Sequence, residues 1–224
     1  LIPAIDPDKK IVTYFSSTDD EYVCVGDVYE FKIWQNQLDA VRDLIRICSK
    51  NESIQLFIRL HPNLRNKSLE DQRRWLALGE IKGVNMVSFD SDVDTYALID
   101  RSDVVVTAGS TVGIEAVFWG KPSICLGPAY YSELGATLHP QSSAELESML
   151  ACDNLTVDRE RAIPFGYGMS TFGRKFVYYV AESLFTGKFL GTDLRAVSSR
   201  RLKWLRLKQV ASKPHRVLSK LFSK

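Results

Sequence analysis

Long hydrophobic runs are absent from this chain of 224 residues. No apolar stretch approaches the roughly 20 residues that a helix needs to cross a bilayer. No basic segment followed by an apolar one stands at the beginning, so no signal peptide is visible. The hydrophobic content of 45%, with 25% charged residues, is ordinary for a soluble globular protein.

Closely spaced cysteines are also absent. The chain has four cysteines with no C-x-x-C pair and no histidine at ligand spacing, namely Cys24, Cys48, Cys125 and Cys152. A zinc site is therefore not expected. Cys48 falls on a predicted helical face and Cys125 in an apolar strand, where cysteine behaves as a small hydrophobic residue. We expect reduced thiols, as in a cytosolic protein.

The net charge of +2 hides an uneven distribution along the chain. Residues 188–224 contain eleven Lys and Arg but one acid, Asp193. The first 187 residues contain 18 Lys and Arg and 26 Asp and Glu. We therefore predict two parts: a mildly acidic domain over 1–187 and a basic helical tail over 188–224.

Short apolar runs alternate with segments of helical periodicity over the first 150 residues. This alternation is typical of βαβ units and predicts an α/β fold, a Rossmann-like parallel sheet with helices on both faces. Ligand residues are then expected in the loops after the strands, because those loops meet at one edge of the sheet. The predicted strands are 11–15, 54–58, 84–89, 104–106 and 122–126, and the predicted helices are 31–49, 69–78, 95–99, 112–119 and 144–150.

One loop, between the strand at 104–106 and the next helix, is rich in small residues. Backbone amides and hydroxyls at a helix start can bind a phosphate, although a hydroxyl here can equally cap the helix. Glu115, in the first helical turn, either complements the helix dipole or accepts hydrogen bonds from ribose hydroxyls. Spacing alone favours the dipole. The candidate phosphate ligands in this loop are Gly109, Ser110, Thr111 and Gly113.

Two other loops place polar residues after predicted strands. His61 and Pro62 follow a strand ending in Arg59, and His61 either donates to a phosphate or a base or simply forms a turn. Ser16 and Ser17 follow the first strand, ahead of three acids. Their hydroxyls either bind phosphate or cap a helical turn, and they are better phosphate ligands than the neighbouring acids, which would repel it.

The acids at Asp90, Asp92 and Asp94 alternate as they do in cation-binding loops. This loop lacks the bidentate glutamate of a calcium site. A solvated loop without bound metal is therefore the expectation.

Taken together, these loops resemble the C-terminal, nucleotide-sugar-binding half of GT-B glycosyltransferases, and among them bacterial capsule and surface-polysaccharide biosynthesis proteins. The resemblance rests on residues 15–22, 59–62 and 109–122, including Gly120-Lys-Pro122 before the last strand, and it spans roughly residues 10–150. It implies a transferase and favours phosphate binding over capping in the small-residue loop.

Within this group, the His-Pro and Ser/Thr elements are similar to those of enzymes that use CMP-activated acidic sugars, such as sialyltransferases and Kdo transferases. The resemblance implies that His61 contacts the nucleotide or phosphate of the donor, that Ser110 and Thr111 hold its phosphate, and that Glu115 holds its ribose. The donor, with a CMP-linked sugar favoured, is a substrate. Neither a separate cofactor nor a divalent metal is expected.

Two alternatives to a glycosyltransferase share parts of the pattern. One is a nucleotide-sugar epimerase or a CDP-glycerol-type phosphotransferase, and the other is a non-catalytic membrane tether that binds a nucleotide or glycan. A GT-B enzyme has two Rossmann-like domains, and this chain, which begins with Leu1, has length for one. We therefore expect an N-terminal domain outside this chain, with the acceptor site and the catalytic base.

The last part of the chain combines aromatic, apolar and basic residues. Residues 165–173 are expected to be flexible, and a helix is predicted over 175–185. From 195 to 224, an apolar stripe lies opposite basic residues and suits a helix on an anionic membrane surface. A solvated tail is the alternative, and nucleic-acid binding is not expected because no matching motif accompanies the charge. The expected location is the cytoplasmic face of the bacterial plasma membrane, with a glycan or lipid-linked glycan as acceptor.

Overall fold

The computed structural model describes residues 4–18, 30–173, 176–182 and 186–193. The chain divides into two compact units, Leu1–Thr171 and Phe172–Lys224. Within the described ranges, no helix is long and apolar enough to cross a membrane.

Five parallel strands form the sheet of the first unit: β1 (Lys10–Phe15), β2 (Ile54–Arg59), β3 (Val84–Val87), β4 (Val104–Thr107) and β5 (Ser123–Cys125). They lie in the order β3-β2-β1-β4-β5, and Val12 of β1 pairs with Leu56 on one side and Val104 on the other. The strand order reverses direction between β1 and β4, where doubly wound sheets bind their ligands. The predicted Rossmann-like parallel sheet is confirmed.

The strands are joined by helices whose starts are set by capping side chains. Asn36 accepts a hydrogen bond from the amide of Asp39 at 3.0 Å, so the first helix begins at Gln37 and not at residue 31 as its apolar spacing predicted. Ser68, Asp94 and Ser142 cap three later helices in the same way. The helices of this unit are α1 (Gln37–Ser49), α2 (Leu69–Leu76), α3 (Thr95–Arg101), α4 (Val112–Phe118), α5 (Ser143–Ala151) and α6 (Ile163–Thr171).

Helices cover both faces of the sheet, as predicted. Successive strand residues point to opposite faces. Val12 and Tyr14 therefore pack in a core that includes Leu44 of α1, while Ile11 packs in a second core with Leu98 of α3. The central strands are apolar on both sides, which is typical of a parallel sheet buried between two helical layers.

The described residues of the second unit form a three-stranded antiparallel sheet: β6 (Tyr179–Ala181), β7 (Gly187–Phe189) and β8 (Thr192–Asp193). The helix predicted over 175–185 is therefore wrong. Aromatic and β-branched residues around β6 favour a strand. Leu190 and Gly191, with φ of 50° and 78°, then form a two-residue hairpin turn between β7 and β8, a geometry that matches the twist of paired strands.

Two further predictions about the end of the chain need correction. Most of the segment 165–173, predicted as flexible, lies in α6. Residues 187–189 and 192–193, around the start of the predicted helical tail, lie in strands. Residues 194–224 lie outside the described residues, so the membrane-binding tail and the domain boundary at residue 187 stay predictions.

Candidate functional site

The loops after β1 and β2 are tied together at the carboxyl edge of the sheet. The amide of Ser16 donates to the carbonyl of Arg59 at 3.0 Å. The buried hydroxyl of Ser16 accepts from the amide of His61 at 2.8 Å. Ser16 therefore positions the His61 loop, and the structure brings these two predicted site residues together.

One ring nitrogen of His61 accepts a hydrogen bond, and the other has no hydrogen-bond partner in the part of the chain that the structure describes. Its Nδ1 accepts from the amide of Asn63 at 3.1 Å and caps a short 3-10 turn that Pro62 begins. An accepting Nδ1 means that the neutral ring carries its proton on Nε2. The turn-forming role and the ligand-binding role predicted for His61 are therefore compatible, because the turn uses Nδ1 and leaves Nε2–H as a donor.

Ser17 is held by a residue that the sequence did not single out. Gln37, buried at the start of α1, accepts from the amide of Ser17 and from the hydroxyl of Tyr14, both at 2.8 Å. Its side-chain amide donates to the carbonyl of Ser17 at 3.2 Å. The hydroxyl of Ser17 is buried and has no hydrogen-bond partner among the described residues. An unpaired buried hydroxyl costs about 1–3 kcal/mol, so a ligand oxygen that came within hydrogen-bond distance of this group would offset that cost.

The glycines of the small-residue loop are required by the backbone conformation and the packing of the fold. Gly109 has a φ of 130°, which favours glycine. A Cβ on Gly113 would lie 2.7 Å from the hydroxyl of Tyr131 and 2.9 Å from that of Thr107. Gly113 therefore lets α4 pack closely against the sheet, and its role as a phosphate ligand stays a prediction.

The hydroxyls of the same loop are not explained by capping. Thr111 immediately precedes α4 but makes no side-chain cap hydrogen bond. The Oγ of Ser110 lies 3.4 Å from the amide of Val112, which is long for a hydrogen bond. Both hydroxyls are therefore available to a ligand at the carboxyl end of β4, although α4 itself has only seven residues.

His61 and the Ser110–Thr111 pair follow β2 and β4, which flank β1. Neighbouring strands lie about 4.8 Å apart, so these two segments are separated by roughly 10 Å across the edge. Side chains from both segments can reach one small ligand at the position where the strand order reverses.

Glu115 accepts a hydrogen bond from the hydroxyl of Tyr96 at 2.9 Å. This bond, with the charge of the carboxylate, raises the pKa of Tyr96. Beside the pair lies an apolar groove of about 460 Å³ that includes Phe118, Trp119 and residues of α6. Glu115 is thus in the first turn of α4, as predicted, with a carboxylate that already has one protein partner.

Two acidic side chains of the loop after β3 make contacts within the protein. Asp94 caps α3 by accepting from the amide of Ala97 at 2.8 Å. Asp90 lies 3.4 Å from the guanidinium of Arg65. Among the residues that the structure describes, no group of three or more His, Cys, Asp or Glu side chains is placed to hold a metal ion.

A cavity of about 480 Å³ lies at the carboxyl end of β5 and was not predicted. Burial lowers the pKa of His139 in its wall, with Lys32 acting in the same direction and Glu133 in the opposite one. The Nε2 of His139 lies 2.9 Å from the hydroxyl of Thr137. These residues form no sequence motif. The loop after β5 nevertheless lies at the same edge of the sheet as the other loops, so the expectation that ligand residues gather in the loops after the strands could have predicted the cavity.

A doubly wound sheet with polar loops gathered at its carboxyl edge defines an α/β ligand-binding domain. Residues 19–151 of the chain match the family model of capsule polysaccharide biosynthesis proteins. The match covers more than half of the chain, which therefore belongs to this family. A search of curated protein sequences found no match.

Solved structures with a similar fold include two of KpsC from Thermosulfurimonas dismutans, described as a β-Kdo 2,7 transferase and a β-Kdo 2,4 transferase. The first is 16% identical with a TM-score of 0.46, over 92% of this chain and 57% of that one. The second is 16% identical with a TM-score of 0.44, over 71% and 44%. A UDP-GlcNAc 2-epimerase from Neisseria meningitidis is 14% identical with a TM-score of 0.40, over 75% and 37%. The chain thus spans less than two thirds of each of these structures.

Proposed function

We propose that this chain is the donor-binding domain of a glycosyltransferase, which transfers a sugar from a nucleotide-activated donor to a growing bacterial surface polysaccharide. The polysaccharide follows from the family of capsule biosynthesis proteins. The observation that carries the donor site is the hydrogen bond that joins the Ser16 and His61 loops, which follow β1 and β2. The strand order reverses on the other side of β1, where Ser110 and Thr111 follow β4 and the Thr111 hydroxyl makes no cap hydrogen bond.

The phosphate of the donor is the group that this edge suits best. The Nε2–H of His61 and the hydroxyls of Ser17, Ser110 and Thr111 are all hydrogen-bond donors, and none has a strong partner within the described residues. Hydrogen bonds from neutral groups to a charged phosphate contribute about 1.5–3 kcal/mol each. Glu115 lies one helical turn beyond Thr111, about 6 Å along α4, where its free oxygen can accept from a ribose hydroxyl.

A CMP-linked acidic sugar, such as CMP-Kdo, is the donor that we favour, and the His61-Pro62 pattern is the support for it. A nucleotide-sugar epimerase or a CDP-glycerol-type phosphotransferase is the competing proposal, since the same edge would hold their nucleotides. A non-catalytic tether would bind nucleotide without turnover. The acceptor site and the catalytic base belong, in this proposal, to an N-terminal GT-B domain outside the chain.

Nucleotide binding can be tested by a thermal-shift panel of CMP, CDP, UDP and GDP, followed by calorimetry. A ligand that binds only the folded state raises the melting temperature. We expect a cytidine nucleotide to give the largest shift, equally in EDTA and in magnesium, because the hydroxyls and the His61 donor proposed for the phosphate need no bridging cation. Loss of binding in EDTA, or no shift with any nucleotide, would contradict the proposal.

Two variants separate binding from stability. Thr111→Val removes a hydroxyl that makes no cap bond, so it should weaken nucleotide binding by about 1.5–3 kcal/mol with little change in melting temperature. Ser142→Ala removes the cap of α5, so it should cost about 1 kcal/mol of stability and leave nucleotide affinity unchanged. Equal affinity of Thr111→Val and the unmodified chain would remove Thr111 from the site.

A further inference from the structure

The second unit exposes large apolar side chains in and beside its small antiparallel sheet. Apolar surface of this kind on a folded protein marks a site of contact with a partner or a membrane. The exposed side chains, which together form the apolar surface of the second unit, are Phe176, Val177, Tyr178, Val180, Phe189 and Leu190.

The apolar surface lies at one end of the sheet. The amide of Leu190 donates to the carbonyl of Tyr178 at 2.7 Å, so the hairpin turn lies beside the start of β6. Val180 is two residues further along and points to the same face of the sheet as Tyr178. Toward the other end of β6, Glu182 forms an ion pair with Lys188 at 2.9 Å. The sheet thus has an apolar end beside its hairpin turn and a charged end away from it.

The charge of the neighbouring segment decides which partner suits this surface. Residues 195–224 begin four positions after Gly191 of the turn and contain ten Lys and Arg and no acid. A second copy of the chain would bring two such segments together, and their like charges would repel each other. Nucleic acid would attract them, but it stacks its bases on aromatic rings, which Val177, Val180 and Leu190 lack. An anionic bilayer attracts basic residues and also takes up aliphatic and aromatic side chains.

We infer that the apolar surface of the second unit inserts into the interface of an anionic bilayer, while residues 195–224 supply the electrostatic attraction. Leu190, at the hairpin turn, enters the boundary of the acyl chains, and Tyr178 lies at the level of the headgroups. The edges of the sheet stay within reach of water at this depth, so no backbone group is buried unpaired. Binding then has an apolar part that salt does not screen, beyond the screened attraction of a charged tail.

The test uses the full chain with two substitutions that keep the sheet intact. Leu190→Asn removes the apolar side chain and suits the φ of 50°, because asparagine tolerates the left-handed region. Tyr178→Thr keeps a residue that favours strands beside β6. The matched control pair, in the first unit, is Leu69→Asn with Tyr167→Thr. Leu69 and Tyr167 are each 69% exposed, against 66% for Leu190 and 62% for Tyr178.

Sedimentation with vesicles of phosphatidylglycerol and phosphatidylcholine, over a range of salt concentrations, gives the partition coefficient of each form. The Tyr178→Thr, Leu190→Asn double variant should partition at least about tenfold more weakly at every salt concentration. Its dependence on salt should equal that of the unmodified chain, because the basic residues are unchanged. The control pair should partition as the unmodified chain does. Each single substitution should give part of the loss, so one variant remains informative if the other unfolds.

Four outcomes would overturn the inference. Equal partitioning of the double variant and the unmodified chain would show that the sheet does not enter the bilayer. An equal loss in the control pair would mean that the position of the apolar residues is irrelevant. A dimer that dissociates in the double variant, with vesicle binding unchanged, would assign the surface to a second copy. Weaker binding of the double variant to single-stranded RNA, with vesicle binding unchanged, would assign it to nucleic acid. None of these outcomes bears on the proposed function, because no nucleotide takes part in the test.

Discussion

The hydroxyl of Ser16 accepts the amide proton of His61 at 2.8 Å, although the two residues lie 45 positions apart in the sequence. The bond joins the loops that follow two neighbouring parallel strands. It fixes the position of the His61 backbone, while the hydrogen bond from the Asn63 amide to Nδ1 orients the imidazole ring of His61. The available Nε2–H is therefore held by contacts on two sides before any ligand arrives.

Replacing His61 should weaken nucleotide binding through the loss of this Nε2 donor. His61→Ala is expected to lose about 1–3 kcal/mol of binding free energy, measured by calorimetry. The variant also loses a cap, so a matched control is needed. His61→Asn keeps an N-cap side chain and lacks a group at the Nε2 position, so it should retain stability and still lose affinity. Unchanged nucleotide affinity in both variants would show that His61 is only a turn residue.

Replacing Gly113 should destabilise the protein through crowding between α4 and the sheet. The added methyl of Gly113→Ala would lie under 3.0 Å from the hydroxyls of Tyr131 and Thr107, and overpacking of this kind costs about 1–3 kcal/mol. Gly166→Ala is the matched control, because Gly166 lies inside α6 with no atom within 4 Å of the added methyl. That variant should gain up to about 1 kcal/mol from helix propensity. Urea unfolding of both variants gives the comparison, and equal stability of the two would refute the crowding argument.

Burial of His139 should make stability depend on pH below neutrality. Because burial lowers the pKa of His139 from 6.5, the unfolded chain binds a proton at a higher pH than the folded chain does. The contribution to the free energy of unfolding is thus fully present above about pH 6.5 and is lost as the pH falls below it. His139→Gln cannot titrate, so its stability should fall less than that of the unmodified chain between about pH 7.5 and about pH 5.5. Parallel losses in urea unfolding would contradict this assignment.

The basic residues at 195–224 should hold the protein to anionic membrane surfaces. This segment contains ten Lys and Arg and no acid. Each basic residue near such a surface contributes about 1 kcal/mol, an attraction that salt screens. Sedimentation with anionic vesicles at low salt should recover the full chain and leave a truncation after Asp193 in solution. Neutral vesicles are the control, and equal recovery of both forms on anionic vesicles would exclude the tether.

The sheet could be predicted from the sequence because its strands are apolar on both faces. The loops of the candidate site could be predicted because the carboxyl ends of parallel strands lie at one edge of the sheet. Ser16 and His61 were both placed at that edge by this rule, and the structure joins them by a hydrogen bond. Gln37 was not predicted as a site residue, since a polar residue near a helix start usually faces solvent. Asn36 was the missed signal, because a cap there places Gln37 in the first turn against Tyr14.

The cavity at β5 and the second sheet show two other limits of sequence reasoning. Glu133, Thr137 and His139 form no motif, since their grouping depends on how the chain folds back after β5. For the second unit, helical spacing was given more weight than the β-branched and aromatic residues around Tyr179. The turn at Leu190 and Gly191 could have reversed that choice, because a glycine that takes a positive φ is typical of a two-residue hairpin turn.

The two hydrogen bonds between Gln37 and Ser17 have a consequence for the order of events during refolding. They hold the amide and the carbonyl of Ser17, and they come from a residue twenty positions further along the chain, at the start of α1. β1 can form without them, but the backbone after β1 cannot take its final path until α1 has docked. Recovery of nucleotide binding after dilution from denaturant would then lag behind the recovery of secondary structure. The length of this delay would measure how long α1 takes to dock onto the sheet.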